Sequence, residues 1–398
     1  MASNERNSIS MLCGFYKDLV FIRPLQGTPP PRSTPHRYHR LYPPYSVIMP
    51  QHTVFVTGLN GYIASVLAKY LLDNGYNVRG SVRRHASADP LVSGPLKSYA
   101  ESGALSVIEV PDITVDGAFD EAVKGVTAIA HLATPVSMGF TDPEPIINTA
   151  VNGTRSILYS ALKAGPQLKS FVVLSSVVAI MSSAQPPYVF TESDWNDWAE
   201  PTVAAKGKDA PGMAIYCASK VAAEKAFWAF KDQEKPSFTQ TALNPVFVIG
   251  PPLVAPKTVD QIGETVRSTW DIFSGSEFPG PGIVPGLGAV VDVRDVAAQT
   301  EYIIAHPEET DGERYLSSAA HSTAQSVADV LRKTFPDAKR RIVEGTPGEG
   351  YSPDYQVFDK QTTPVFDGSK AKKLLEGNEY IPYEQSIVDT AKAFVHLL

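Results

Sequence analysis

Tyr216 and Lys220 stand four residues apart in the run GMAIYCASKVAAEKAFW, Gly212 to Trp228. A free phenol titrates near pH ~10 and is a poor proton donor at neutral pH. An ammonium one helical turn away stabilises the phenolate and lowers that value, and residues four apart share one helix face. A third group would have to hold the substrate oxygen. The run LSS closes a β-rich stretch, and Ser176 is expected to project there, with Ser175 as the alternative; the two-residue strand period favours only one of them. A serine hydroxyl donates to a carbonyl oxygen as negative charge builds on it. Together these residue types could deliver a proton to a polarised carbonyl. The spacing alone is common, so its meaning depends on what surrounds it.

Upstream, VFVTGLNGYIA sets Gly58, Gly61 and Ala64 at G-x-x-G-x-x-A spacing between a strand and a helix. Such a turn needs tightness at the first position, close backbone approach at the second and helix–strand contact at the third. A pyrophosphate then meets unpaired N–H groups at the positive helix end, with Asn60, Tyr62 and Ile63 around it. NAD enzymes place an acid at the end of the second strand for the ribose 2′-hydroxyl. Here that segment is NVRGSVRRHAS, and the next carboxylate is Asp89. Arg83, helped by Ser81 or Arg84, would instead meet a 2′-phosphate, so the expected cofactor is NADP(H).

Asp112 and Ile113, after the third strand, are expected on the adenine side, though Asp112 would also serve as a helix N-cap. HLATP contributes Ala133 and Thr134, small residues that let backbone lie against the cofactor, while His131 reads as a packed structural histidine. Pro245 and Val248, in LNPVFVIGPP, complete the expected cofactor contacts. Asn152 sits mid-helix in TAVNGTRS, where an amide is a mediocre helix former. It marks either a kink near Gly153 or a backbone-and-water anchor behind Lys220. Cys217, beside Tyr216, reads as a small buried apolar side chain.

These groups need a scaffold that brings strand ends together. From His52 onward, short β-rich runs alternate with helical ones, the pattern of a parallel sheet covered on both faces. HTVFVTG, NVRGSV, LSVIEV, AIAHLA, SFVVLSS and FTQTALNPVFVI read as six strands. YIASVLAKYLLDNG is an amphipathic helix stopped by Gly75, and another helix is expected from about Pro145 to Gly165. The expected fold is α/β: a doubly wound parallel (Rossmann) sheet over 51–250, with a smaller C-terminal α/β substrate lobe over 251–398. Within that lobe, 288–306 is expected to return to the Rossmann core.

The chain has 398 residues, 43% hydrophobic and 19% charged, enough for a substantial core. No apolar run reaches the ~20 residues a bilayer-spanning helix needs. The net charge of −7 offers no global attraction to nucleic acid or anionic membrane. Two cysteines, Cys13 and Cys217, make no disulfide framework, and no His/Cys cluster suggests a metal. Residues 1–50 differ: they carry six Lys/Arg against Glu5 and Asp18 and are rich in proline. This leader reads as a disordered tail, a targeting segment, or translation begun upstream of a natural start at Met49. A cytoplasmic protein is expected, or a mitochondrial one if the leader is a transit segment.

The motifs TGLNGYIA, HLATP, AVNGT, LSS, YCASK and LNPVFVIGPP occur in the order of the extended short-chain dehydrogenases/reductases, over roughly residues 52–390. The chain most resembles the branch of dihydroflavonol reductases, cinnamoyl-CoA reductases and fungal aldehyde/ketone reductases. The resemblance implies Tyr216 as proton donor, Lys220 as its modulator and ribose ligand, and Ser176 as the carbonyl-orienting group. It also implies Asn152 as support of a proton relay and Arg83 as the 2′-phosphate contact. AIYCASK keeps only the YC of the cinnamoyl-CoA reductase motif, which argues against a thioester. Val136, Met138, Val177, Tyr188, Trp195, Trp198, Val246 and Phe247 are candidates for a substrate-pocket wall or for ordinary core. TESDWNDWAE reads as a loop over the site.

The implied activity is NADPH-dependent reduction of a small-to-medium, partly apolar aldehyde, ketone or keto ester. The implied partner is that small molecule alone, acting on a monomer or homodimer. Two alternatives differ in kind. A sugar-nucleotide epimerase or dehydratase would want NAD and cationic grips for a diphosphate, and a non-catalytic nucleotide sensor would have no need of the Tyr216/Lys220 pair.

Overall fold

The computed structural model describes residues 52–134, 139–275, 278 and 284–398. The proline-rich leader, Pro135 of HLATP and the pocket candidates Val136 and Met138 lie outside the described residues. Five strands come first: β1 (Thr53–Val56), β2 (Asn77–Val82), β3 (Leu105–Glu109), β4 (Ala128–His131) and β5 (Ser170–Leu174). The short β6 (Val189–Phe190) precedes β7 (Thr239–Pro245), β8 (Phe247–Ile249) and β9 (Gly288–Asp292). β10 (Arg314–Ser317), β11 (Ala320–Ser322) and β12 (Val365–Phe366) follow. The longer helices are α1 (Tyr62–Asp73), α2 (Pro143–Ala161), α3 (Ala199–Lys206) and α4 (Gly212–Glu234), then α5 (Glu264–Ser274), α6 (Val293–Ala305), α7 (Ala324–Thr334) and α8 (Tyr383–Lys392). None of the described helices is long and apolar enough to cross a membrane.

The main sheet has seven parallel strands in the order β10-β7-β5-β4-β1-β2-β3. Strand order reverses between β1 and β4, which opens a crevice at the carboxyl ends. Period-two alternation sends side chains to two cores: Val54 and Val56 pack with Leu67, Leu71 and Val296, whereas Phe55 packs with Phe119, Phe171 and Phe227 on the other face. Phe171 contacts both Phe227 and Phe238 through its ring. Each such fully buried aromatic stabilises the fold by ~2–3 kcal/mol. α1 ends as its sequence demands, with Gly75 at φ +85° just beyond the last turn.

FTQTALNPVFVI is two strands rather than the single one expected. β7 belongs to the main sheet and β8 to a three-stranded sheet, β11-β9-β8. The physical reason is Pro245, which has no N–H to extend the ladder; the Val246 N–H makes a last bond to the Ser317 carbonyl at 3.0 Å, and β8 then pairs with β9 from Phe247 to Ile249. A seventh main-sheet strand, β10, pairs with β7; its four residues, RYLS, are too short to show a period. α6 packs on α1, while β9 pairs with β8 and β11. Beyond the main sheet, Ile249, Phe273, Val290, Leu331 and Ile387 form a separate core shared by α5, α7 and α8.

Candidate active site

The glycine loop has the geometry that its spacing predicts. Gly58 lies at φ +68°, and a Cβ there would come 3.4 Å from the Cα of Ala133, so the first loop residue presses directly on the end of β4. A Cβ on Gly61 would lie 3.1 Å from the Gly58 carbonyl oxygen. No side chain caps α1 and no acid sits in its first turn, leaving its positive end available to an anion. The Tyr62 side chain turns away and donates to the Gly250 carbonyl at 2.7 Å, anchoring the helix start to the chain after β8. Ile63 is half-buried against the core, and Asn60 is exposed.

Ser81 does not assist Arg83. It is buried, and its hydroxyl accepts from the Gly58 N–H at 3.4 Å, bracing the loop from β2. The alternation of a strand explains this: Ser81 faces the loop, whereas Arg83 and Arg84, beyond the strand end, are exposed. Among the described residues, neither arginine has a carboxylate within ion-pair distance. Asp112 is exposed, and one carboxylate oxygen accepts from the Thr114 N–H at 2.8 Å and from its hydroxyl at 2.7 Å. These bonds, and the nearby Arg83 charge, hold its carboxyl below the usual range. Asp112 thus closes a local turn at its Oδ1. Ile113 packs onto Gly153, where a Cβ would fall 2.9 Å from the Ile113 Cδ1. That close approach, rather than a kink, accounts for the glycine, and α2 runs unbroken through it.

His131 and Thr57 form a buried pair absent from the sequence reading. The Thr57 hydroxyl accepts from the Leu132 and Ala133 N–H groups, each at 2.9 Å, and lies 3.0 Å from His131 Nδ1. Its lone pairs being occupied, the hydroxyl donates to Nδ1, which leaves the proton of a neutral imidazole on Nε2. Burial, then the Lys220 charge, lowers the His131 pKa to about 3, so the ring is neutral and structural. The small residues Ala133 and Thr134 continue from it along the crevice.

Tyr216, Lys220 and Ser176 come together at the carboxyl end of β5. Ser176 is half-buried, its hydroxyl accepts weakly from the Val178 N–H at 3.3 Å, and it is near enough to the Tyr216 phenol to lower that group's pKa. Ser175 points the other way, into the interior, where its hydroxyl donates to Glu224. The serine ambiguity is therefore resolved by the strand's period. The expected lowering of the phenol by Lys220 is not found. Burial pushes Tyr216 up to about 12, partly offset by Ser176. The ammonium instead donates to the Leu174 carbonyl at 3.4 Å. Burial lowers Lys220 to about 8, and Glu224 works against that shift. Cys217 is fully buried and its thiol is raised to about 12, which makes it inert.

The Asn152 side chain does not point toward the others, which leaves the backbone as the part of it that could serve as an anchor behind Lys220. It is exposed, whereas Thr154, two residues on, lines a small cavity with Lys220, His131, Ser175 and Glu224. At 100° per residue the two positions face opposite sides of α2, so a relay behind Lys220 does not run through the Asn152 side chain. Pro245 ends β7, and Val248 is packed in the core beside Val291. Of the pocket-wall candidates, Val246 is core, Phe247 packs against the separate core of Ile249, Phe273 and Leu331, and Val177 is half-buried. Tyr188 bonds Asp194 at 2.7 Å, Trp198 donates to Met181 at 3.3 Å, and Trp195 stacks on Arg314.

This arrangement fits a dinucleotide carrying a 2′-phosphate. Gly58 and Gly61 leave room for pyrophosphate against an uncapped helix, and among the described residues Arg83 and Arg84 are exposed without an ion-pair partner and the buried Lys220 ammonium has one long contact. Comparison with known proteins agrees with the geometry. The profile of the NAD dependent epimerase/dehydratase family matches residues 54–316. The chain is 33% identical over 353 residues to a putative NADPH-dependent methylglyoxal reductase of Candida albicans, covering 86% of this chain and 98% of that one. It is 33% identical over 353 residues to the NADPH-dependent methylglyoxal reductase of Saccharomyces cerevisiae, covering 85% and 97%. The crystal structure of the yeast methylglyoxal/isovaleraldehyde reductase complexed with NADPH superposes with a TM-score of 0.72 at 30% identity, over 86% of this chain and 99% of that one. By loop, strand order and sequence alike, the chain belongs to the NAD dependent epimerase/dehydratase family.

Proposed function

We propose that this protein is an NADPH-dependent carbonyl reductase. The observation that carries the reading is the meeting of Tyr216, Ser176 and Lys220 in the crevice of a phosphate-binding loop whose second strand ends in Arg83 rather than an acid. Its substrates are small-to-medium, partly apolar aldehydes, ketones or keto esters, methylglyoxal among them.

NADPH, when bound, supplies the hydride that reduces the carbonyl carbon. Gly58, Gly61 and the amino end of α1 would hold its pyrophosphate, Arg83 its 2′-phosphate and Lys220 its ribose. The phenol of Tyr216 is neutral at physiological pH, as an acid for reduction must be. Ser176 donates a hydrogen bond to the carbonyl oxygen and polarises it. As charge develops there, Tyr216 releases its proton to the same oxygen, completing an alcohol. Ser176, which lowers the Tyr216 pKa, then stabilises the phenolate that remains.

The test is NADPH oxidation with methylglyoxal, aryl ketones and β-keto esters, run in parallel with NADH and with UDP-sugars. Tyr216→Phe should lower kcat by about 10²- to 10⁴-fold with NADPH binding retained. Full activity in that variant, or turnover of UDP-sugars alone, would overturn the assignment.

A further inference from the structure

Glu224 lies one turn beyond Lys220 on α4, at the same four-residue step that separates Lys220 from Tyr216. It is a carboxylate in the interior, with a fully buried side chain. Each of its oxygens receives two donors. Oε1 takes Arg314 Nε at 2.6 Å and Trp228 Nε1 at 3.3 Å, while Oε2 takes Asn244 Nδ2 at 2.7 Å and the Ser175 hydroxyl. Four donors saturate the carboxylate. They arrive from β10, β7, the end of β5 and α4 itself, so one side chain ties three strands to the helix that carries Tyr216 and Lys220.

One arm of this network reaches the Ser176 corner and another reaches the 192–195 loop. Asn244 Nδ2 also donates to the Ser176 carbonyl at 3.2 Å, so Glu224 fixes the Ser175–Ser176 corner both through Asn244 and through Ser175. Arg314 Nη1 donates to the Glu192 and Asp194 carbonyls, each at 2.6 Å, and its guanidinium stacks 3.9 Å from the Trp195 ring centroid. Glu192 returns the contact by accepting from the Leu316 N–H at 2.9 Å. The segment expected from its sequence to cover the site is thus clamped, through Arg314, to Glu224. The same cavity that exposes Lys220 is lined by Glu224, Ser175, His131 and Thr154.

We propose that Glu224 is a positioning residue for the reduction: its saturated carboxylate holds the Ser176 corner and, through Arg314, the 192–195 loop in register with Lys220. The proposal rests on the reductase reading for its kinetic consequence but not for the clamp itself. A surface carboxylate could hold one strand; a buried one that is fully bonded holds several in a single geometry, because any displacement leaves charge unpaired. Glu224 also provides the negative charge nearest the buried Lys220 ammonium on their helix. The other titratable or charged groups about Lys220 are Tyr216 on α4, neutral His131 from β4, and Arg314 behind Glu224.

The experiment uses the full chain with Glu224→Gln, Ser175→Ala and Arg314→Lys, and with NADPH plus methylglyoxal as the probe pair. Glu224→Gln should lower kcat at least about tenfold with the NADPH Kd changed less than threefold. The alkaline limb of the kcat–pH profile should move to lower pH by about one unit, because Lys220 loses its compensating charge. Amides of 192–196 and 175–177 should exchange with deuterium at least about tenfold faster, while those of β1 and α1 stay unchanged. Ser175→Ala and Arg314→Lys should each reproduce one arm: the corner for the first, the loop for the second. If Glu224→Gln does not fold, these two variants decide the matter. Variants that are less stable but keep wild-type kcat, pH profile and loop exchange would overturn the proposal. If the wild type reduces no carbonyl in the panel, the reductase reading fails, and exchange at 175–177 and 192–196 still decides the clamp.

Discussion

Gly80, in the middle of β2, has no role in any sequence motif, yet it sets the position of the phosphate loop. A Cβ there would lie 2.5 Å from Leu59 Cδ2 and 2.8 Å from both Cβ and Cγ of Leu59. Ordinary contact needs about 3.4 Å or more, so Gly80→Ala demands that Leu59 move by about 1 Å. Rotating the leucine gives no relief, because its Cβ is itself in the clash. Leu59 is fully buried, and its N–H is held by the Ser81 carbonyl at 2.8 Å. The loop backbone between Gly58 and Gly61 must therefore shift or stay strained. Overpacking of this kind costs ~1–3 kcal/mol. If the loop relaxes in the free protein, the cost reappears on NADPH binding, as roughly fivefold to a hundredfold in Kd. If it does not relax, the cost appears as a melting temperature lower by a few degrees. Titration of NADPH fluorescence and a thermal scan on the same variant capture both shares. Leu59→Ala should relieve only part of the cost of Gly80→Ala, since it removes the Cγ and Cδ2 clashes but keeps the Cβ at 2.8 Å. A Gly80→Ala protein with both Kd and melting temperature unchanged would refute the argument.

Other expectations follow from individual groups. Arg83→Ala should weaken NADPH binding by about tenfold to a hundredfold while leaving NADH nearly untouched, the loss of a charge-assisted contact to phosphate; equal weakening of both cofactors would place the 2′-phosphate elsewhere. His131 is held at about 3, below its unfolded value of ~6.5. The unfolded chain then binds more protons in that window, so stability is full above pH ~6.5 and falls as pH drops toward 3. Denaturant unfolding of wild type at pH 5 should show a loss of ~2 kcal/mol relative to pH 7 that a His131→Gln variant lacks; identical pH dependence in the two would contradict the buried neutral ring. Cys217 should resist alkylation in the native protein of a Cys13→Ser variant and react only on unfolding, as a thiol raised to about 12 requires.

Local pattern carried the site a long way. The glycine loop is a strand-to-helix turn whose demands fall within seven residues, and Tyr216 and Lys220 are one helical turn apart. Both are short-range facts, set by backbone geometry and periodicity, and the structure presents both in the expected elements. The arginines at the end of β2 were equally plain, since exposure beyond a strand end follows from the strand's own length.

What stayed hidden depends on contacts far apart in the chain. The helical period separates Asn152 from Thr154, but only the packing of α2 says that Thr154 faces inward. Ser175 and Ser176 are interchangeable until Glu224 shows which side of β5 is the interior. FTQTALNPVFVI reads as one strand because apolar runs carry no mark of which sheet they join, and Pro245 alone ends the first ladder. Thr57 with His131, Leu59 with Gly80, and Glu224 with Arg314 pair residues that are 74, 21 and 90 positions apart. Sequence alone thus determined the chemical alphabet of this protein: a nucleotide loop, a cationic end to its second strand and a tyrosine–lysine pair. Tertiary structure decided the protonation and the aim of those groups, because desolvation and the donors around a buried carboxylate exist only once distant strands have closed over them.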